Sequence, residues 1–213
     1  FAVGEGIYEE INDQDRWGIY VSSSGRTYTE WKQGSNTSYG SLPMNTPGKT
    51  MASYGCNLHA ATMLLNSVGI DINPEDAYYV YKVQNNPANT NTVLSSYKGD
   101  GGGETTDTMD VILSAYNVYG KTKSISSMDE YISILQNGHG IMTWVGPGST
   151  YTKLYHWIAI SDIRETQIGD KYGYDIYVLS STHASGAEYG WNPMEKVVDN
   201  LQAQGSYGYY IEQ

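Results

Sequence analysis

The sequence predicts a single α+β domain over residues 1–213, with a helical part packed on an antiparallel sheet. Apolar residues recur at helical spacing within residues 54–138, whereas residues 139–213 contain short apolar runs rich in Ile, Val, Tyr and Trp. Helices therefore precede strands, without the alternation that a parallel βαβ sheet requires. The 213 residues are enough to bury a sizeable core.

Residues 1–50 form the first part of this predicted order. They are rich in Gly, Ser, Thr and Asn, with short apolar clusters such as Gly18–Val21. This composition predicts loops and short strands and argues against a long helix.

The helical part begins near Cys56. Apolar residues from Ala60 to Val68 lie at helical spacing on one face, and Gly69 ends the helix. A second helix is predicted to start at Asn73, which caps it, and to run to about Val83. A polar loop over 85–103 and a helix over 106–119 follow. The last predicted helix starts at a capping box formed by Ser127 and Glu130 and ends at Gly138.

The last part contains four predicted antiparallel strands, separated by clusters of Gly, Asp and Ser. They are Ile141–Val145, His156–Ile163, Asp175–Ser181 and Tyr207–Ile211.

Composition excludes several classes of function. Twelve Lys and Arg against 23 Asp and Glu give a formal net charge of −11, which repels phosphate backbones, so we expect no nucleic-acid partner. No apolar run approaches the roughly 20 residues that span a bilayer, so the chain is not expected to be membrane-embedded. The Tyr-, Asn-, Gly- and Ser-rich balance is common in secreted bacterial proteins and predicts a secreted or cell-surface protein whose signal peptide is not visible here.

Cys56 is the lone cysteine, so no internal disulfide can form and the thiol is either a buried apolar filler or a reagent. A thiol at a helix N-terminus lies among unpaired N–H groups at the positive end of the dipole, which favours the nucleophilic thiolate. Gly55 would let the backbone turn sharply and a substrate approach closely.

Four histidines could serve as the base for this thiol. His59 follows Cys56 at i+3, where a core or helix-surface role is the better interpretation, and His139 lies in a turn. His156 opens a predicted strand about 100 residues after Cys56, a layout in which a sheet-borne imidazole faces a helix thiol. His183, in a Gly- and Ser-rich loop, is its main rival, and position alone leaves the choice open.

Four stretches together carry a resemblance that favours His156. They are Gln14–Gly18, Gly55–Asn66 with Gly69 and Pro74 behind it, Leu135–Met142 and His156–Ile160. They are similar to the peptidase C39-like family, papain-like cysteine peptidases known from bacteriocin processing, and the resemblance covers most of the chain. It implies a papain-like fold with Cys56 at a helix N-terminus packed on the C-terminal antiparallel sheet. It also implies Cys56 as nucleophile, His156 as general base, and a peptide or protein substrate.

The sequence departs from the family pattern at two positions. The family's oxyanion-binding Gln has no match at its usual spacing, and Asn12 or Gln14 could supply the amide instead. The third triad position, usually Asp or Asn, falls on Ser180, Ser181 or Thr182, with Ser181 the closest match. A hydroxyl can accept the imidazole N–H but stabilises imidazolium less than a carboxylate does.

These observations favour a thiol-dependent peptidase or amidase that needs no metal or other cofactor. Gly55, Trp157 and Tyr155 are the candidate substrate contacts. A papain-like domain without catalysis that serves as a surface binding module, and acyl transfer between amines, are the alternatives. The acidic run Asp100–Glu104 with Asp107 lacks the ligand spacing of a calcium loop, so a turn before a helix explains it better.

Overall fold

A computed structural model describes residues 5–44, 47–84, 115–116, 122–183, 189–202 and 206–213. These residues form an α+β structure with two antiparallel sheets and a few helices, which is compatible with the predicted papain-like class. The predicted loop over 85–103, most of the predicted helix over 106–119, and the acidic run at Asp100–Glu104 lie outside the described residues.

A three-stranded antiparallel sheet fills much of the N-terminal part. Its strands are β1 (Ile7–Glu10), β2 (Arg16–Val21) and β3 (Thr27–Trp31), hydrogen-bonded in that order. Alternate residues of β2 and β3 face inward, so Tyr20 and Tyr28 are fully buried. The sequence predicted only short strands here, because the apolar face of this sheet is built largely from tyrosines.

The second sheet has six described strands in the order β4-β9-β5-β6-β7-β8, and all of its pairs are antiparallel. The strands are β4 (Thr122–Ser124), β5 (Ile141–Val145), β6 (His156–Glu165), β7 (Tyr174–Leu179), β8 (Gly190–Pro193) and β9 (Tyr209–Ile211). The prediction that β6 begins at His156 is confirmed. The sequence analysis missed β4 and β8, which are short and lie at the two edges.

The described helices are α1 (Met51–Tyr54), α2 (Cys56–Ser67), α3 (Pro74–Gln84), α4 (Met128–Gln136) and α5 (Glu195–Val198). The predicted start of α2 at Cys56 is confirmed, and Gly69 follows its end with φ +87°. Half of the predicted capping box of α4 is present. Ser127 accepts from the Glu130 backbone N–H, whereas the Glu130 carboxylate accepts from Ser126.

Helix α2 lies between the two sheets and contacts both β3 and β6. All of its residues from Asn57 to Leu65 are buried, so the predicted single apolar face is wrong. Trp157 and Ala159 of β6 belong to the core around α2, while Ile158 and Ile160 face the other core, beneath α4. This packing brings the N-terminus of α2 to the start of β6.

Within the described ranges, no helix is both long enough and apolar enough to cross a membrane.

Candidate active site

Cys56 is the first residue of α2, and its side chain is half-buried against the core around that helix. Burial raises the pKa of the Cys56 thiol, and hydrogen bonds from the backbone N–H groups of Trp157, Asn57 and Cys56 itself oppose that rise. The helix N-terminus therefore lowers the pKa of the thiol as expected, but desolvation raises it by more. Because the Trp157 N–H acts on the thiol pKa, the sulfur lies near the start of β6.

Gly55 caps α2 in an ordinary backbone conformation, with φ −93° and ψ 14°. Other residues can adopt this conformation, so the backbone turn does not explain why glycine is present. A Cβ at this position would lie 2.7 Å from the Met51 carbonyl oxygen, so close packing of α1 against the start of α2 excludes a larger residue.

The His156 ring is buried at the start of β6 and is held through one nitrogen. Its Nε2 lies 2.9 Å from Ser180 Oγ and 3.1 Å from Thr182 Oγ1. Burial, with a smaller contribution from His59, lowers the pKa of His156 to about 4. The ring is therefore a neutral imidazole near neutral pH.

The hydrogen bonds of Ser180 favour a proton on Nε2 of His156 over one on Nδ1. Ser180 Oγ donates to the Thr182 carbonyl oxygen at 2.9 Å, and a carbonyl can only accept. With its own proton used, the Ser180 hydroxyl accepts from Nε2–H of His156. Nδ1 then carries the lone pair, which is the form that a general base needs.

Ser181, the residue that the resemblance favoured for the third position, has different contacts. Its hydroxyl donates to Gln33 Oε1 at 2.8 Å, and its carbonyl accepts from the Gln33 N–H at 2.8 Å and from Trp17 Nε1 at 3.0 Å. Strand alternation explains the difference, because adjacent residues at the end of β7 point to opposite sides. The hydroxyls on His156 are those of Ser180 and Thr182.

Asn12 and Gln14 lie in the exposed loop between β1 and β2, and each amide has a partner there. Asn12 Oδ1 accepts from Lys32 Nζ at 2.8 Å, and Gln14 Nε2 donates to the Asn36 carbonyl at 3.1 Å. These contacts tie the loop to the segment that follows β3.

Gln33 is a site candidate that the sequence analysis missed. Its Nε2 donates to the Ala52 carbonyl of α1 at 3.0 Å, while its Oε1 and its backbone N–H both bond to Ser181. One amide side chain thus joins the helical turn before Cys56 to the segment that holds His156. The signal was hidden because the resemblance places the oxyanion amide before Arg16 and Trp17, whereas Gln33 follows them in the chain.

The other three histidines have distinct surroundings. His59 is fully buried, its Nδ1 lies 2.7 Å from the Gly55 carbonyl, and burial lowers its pKa to about 4. The His139 ring packs edge-to-face against Tyr210, with ring centres 5.7 Å apart. His183, the rival base, lies 3.1 Å from the carboxylate of Glu30 and stacks on Trp17 with ring centres 4.0 Å apart.

Aromatic side chains form a row beside the start of β6. The Trp144 ring stacks on Tyr155 at 5.1 Å and on Trp157 at 6.2 Å. Trp157 is almost completely buried, whereas 54% of Tyr155 is exposed. Of the two aromatic candidates for substrate contact, Tyr155 is the one that presents a ring to solvent.

Comparison with known protein families gives a match over most of the chain. The model of the family described as Peptidase_C39 like family matches residues 28–207. The matched range contains Gln33, Cys56, His156 and Ser180, and begins after Asn12 and Gln14. No curated protein and no solved structure gives a significant match to the chain.

Proposed function

The chain belongs to the peptidase C39-like family, and we propose that it hydrolyses peptide or amide bonds with Cys56 as nucleophile and His156 as general base. The observation that carries this proposal is the orientation of His156. Ser180 accepts the hydrogen bond from Nε2–H, which leaves Nδ1 as a base at the start of β6, and the next residue, Trp157, has its backbone N–H near the Cys56 sulfur. Protein or peptide substrates are those that the family implies.

The proposed reaction begins with proton transfer. Burial favours the neutral thiol and the neutral imidazole, so we place the transfer from Cys56 Sγ to His156 Nδ1 at the moment of attack on the carbonyl carbon. The protonated ring then gives that proton to the leaving amine, and the acyl group remains on sulfur. Water, deprotonated by the same nitrogen, attacks the thioester and releases the acid and the free thiol.

The oxyanion in this mechanism needs N–H donors. The backbone N–H of Cys56, in the first turn of α2, is one. For the second we assign the side-chain amide of Gln33 instead of Asn12 or Gln14. Gln33 contacts α1 just before Cys56, whereas Asn12 and Gln14 bond to the segment beyond β3.

For the third position we assign Ser180, supported by Thr182, in place of Ser181. Ser180 holds the proton-bearing nitrogen of His156, and Ser181 holds Gln33. Gly55 allows close approach beside the sulfur. We assign the exposed Tyr155 ring to the substrate cleft, and the buried Trp157 supports it through Trp144, which stacks on both. A secreted or cell-surface location is supported by the Tyr-, Asn-, Gly- and Ser-rich composition and the acidic charge.

The alternative function is a catalytically inactive member of the fold that binds a protein or peptide at the cell surface. One observation favours it: burial moves the pKa values of Cys56 and His156 apart in the direction that disfavours the thiolate–imidazolium pair. Acyl transfer to an amine would use the same residues and differ only in the acceptor.

Alkylation of Cys56 by iodoacetamide across pH 4–9 tests the proposal. With His156 as base, the rate forms a plateau above the pH at which His156 loses its proton, near its pKa of about 4. His156→Ala should lose this plateau, by about a hundredfold at pH 7, and keep only the alkaline rise of a free thiol. His183→Ala is the matched control and should keep it. A wild-type rate no higher than that of a free thiol, unchanged in His156→Ala, favours the binding module.

A further inference from the structure

Glu30 is a buried carboxylate beside the candidate site. It lies on β3, is 1% exposed, and belongs to the three-stranded sheet, whereas His156 belongs to the other. A carboxylate this deeply buried is stable only when hydrogen bonds replace its hydration. Glu30 has two, from the Tyr8 hydroxyl at 2.7 Å and from the Ser180 backbone N–H at 2.8 Å, and His183 Nε2 lies 3.1 Å from its Oε1.

Ser180 connects this carboxylate to the base. Its N–H donates to Glu30 Oε2, and its hydroxyl oxygen lies 2.9 Å from His156 Nε2. The charge of Glu30 is therefore separated from the ring of His156 by a single residue that bonds to both. A peptide dipole aligned by a carboxylate holds the attached side chain in one position.

We propose that Glu30 is a positioning residue that fixes Ser180 against His156 and supplies, from the neighbouring sheet, the negative charge that the hydroxyl at the third position lacks. This inference rests on the proposed function, because it assigns His156 as the base. Glu30 touches neither the sulfur nor the base directly. Its effect passes through Ser180 and through the field of its charge, which stabilises the imidazolium formed during the reaction.

Several ionisable groups lie near Glu30 and His156, and their protonation states affect how the charge of Glu30 acts on His156. Glu30 faces Tyr8 from β1, His183 from the segment after β7, and Tyr177 from β7. Burial and the charge of Glu30 raise the pKa of Tyr8, which therefore stays a donor. His156 has His59 of α2 nearby, whose own pKa of about 4 leaves it neutral near neutral pH.

The experiment compares Glu30→Gln with Tyr8→Phe in the alkylation profile of Cys56 by iodoacetamide. Glu30→Gln keeps the size and an acceptor for Ser180 but removes the charge. We expect the plateau rate to fall about tenfold and its lower edge to move down by roughly half a pH unit. Tyr8→Phe removes one hydrogen bond to the same carboxylate and keeps the charge, so its edge should stay in place. An unchanged profile in Glu30→Gln, or an equal change in both variants, would overturn the proposal.

A second measurement reads the geometry without any reaction and separates this proposal from the proposed function. The ¹⁵N shifts of the His156 ring at pH 7 should show the Nε2–H form in the wild-type protein. Glu30→Asp keeps the charge but is too short to hold Ser180 and Tyr8 together, and should give a mixture of Nε2–H and Nδ1–H forms. A pure Nε2–H form in Glu30→Asp contradicts the positioning role. If the wild-type protein shows no alkylation plateau that depends on His156, the proposed function itself is contradicted.

Discussion

His59 Nδ1 donates to the carbonyl oxygen of Gly55 at 2.7 Å, and the His59 backbone N–H donates to the same oxygen at 3.1 Å. Two donors from one residue thus fix the peptide that joins Gly55 to Cys56. Because that peptide is trans, its N–H points opposite to the fixed carbonyl and out of the helix end. This is the N–H that we assign to the oxyanion.

Gly55→Ala should disturb this helix start. An added Cβ would lie 2.7 Å from the Met51 carbonyl oxygen, which accepts from the Gly55 N–H, so the last turn of α1 must open. We expect a loss of about 1–3 kcal/mol in the free energy of unfolding, measured by urea denaturation. Gly34→Ala is the matched control, since a Cβ there meets nothing within 4 Å. Equal stability of the two variants would contradict the close-packing explanation.

Stability should fall in acid because His59 and His156 are buried as neutral rings. Both have a pKa lowered from 6.5 to about 4, so between these pH values the unfolded chain binds protons that the folded chain does not. The stabilising effect is complete above pH 6.5 and is lost as pH falls toward 4, by about 3 kcal/mol for each ring.

Urea denaturation at pH 7 and pH 4.5 measures this loss. His59→Asn keeps an N–H near the position of Nδ1 but removes one titrating group. We expect this variant to be less stable at pH 7 and to lose about half as much stability in acid as the wild-type protein. If the variant loses as much stability between pH 7 and pH 4.5 as the wild-type protein, His59 does not contribute to the loss.

Ser180→Ala should impair the base more than Ser181→Ala. Without the Ser180 hydroxyl, Thr182 Oγ1 at 3.1 Å is the remaining partner of His156 Nε2, and the proton can shift to Nδ1. We expect the alkylation plateau of Cys56 to fall about tenfold in Ser180→Ala. Ser181→Ala, whose hydroxyl bonds to Gln33, should stay within about threefold. If Ser181→Ala lowers the plateau more than Ser180→Ala does, Ser181 is the third residue of the triad instead.

Gln33→Ala should slow acylation without slowing alkylation. Removing one oxyanion donor lowers the rate of acyl transfer by roughly 100- to 1000-fold. Alkylation by iodoacetamide forms no oxyanion, so its rate should be unchanged. Release of p-nitrophenol from p-nitrophenyl acetate, an ester that acylates the thiol through a tetrahedral oxyanion, is measured beside alkylation of the same sample. Gln14→Ala, the same change in an exposed loop, is the control, and a stronger effect there would reverse the assignment.

Local sequence signals found the elements that carry the proposed pair. The helix start at Cys56 depends on residues adjacent in the chain, and the strand start at His156 on a short apolar run. The exact placement of the hydroxyls was beyond these signals. Ser180 and Ser181 differ in their contacts because adjacent residues at a strand end face opposite sides. A one-residue uncertainty in where β7 ends would exchange the two.

The sequence by itself determined the helix with Cys56 at its start, the strand with His156 at its start, and the family, because each depends on residues close together in the chain. Tertiary structure decided that Gln33 lies between α1 and Ser181, and that Glu30 meets Ser180 although 150 residues separate them. Such contacts arise where two sheets pack around one helix. Their partners are chosen by three-dimensional packing, which spacing along the chain does not encode.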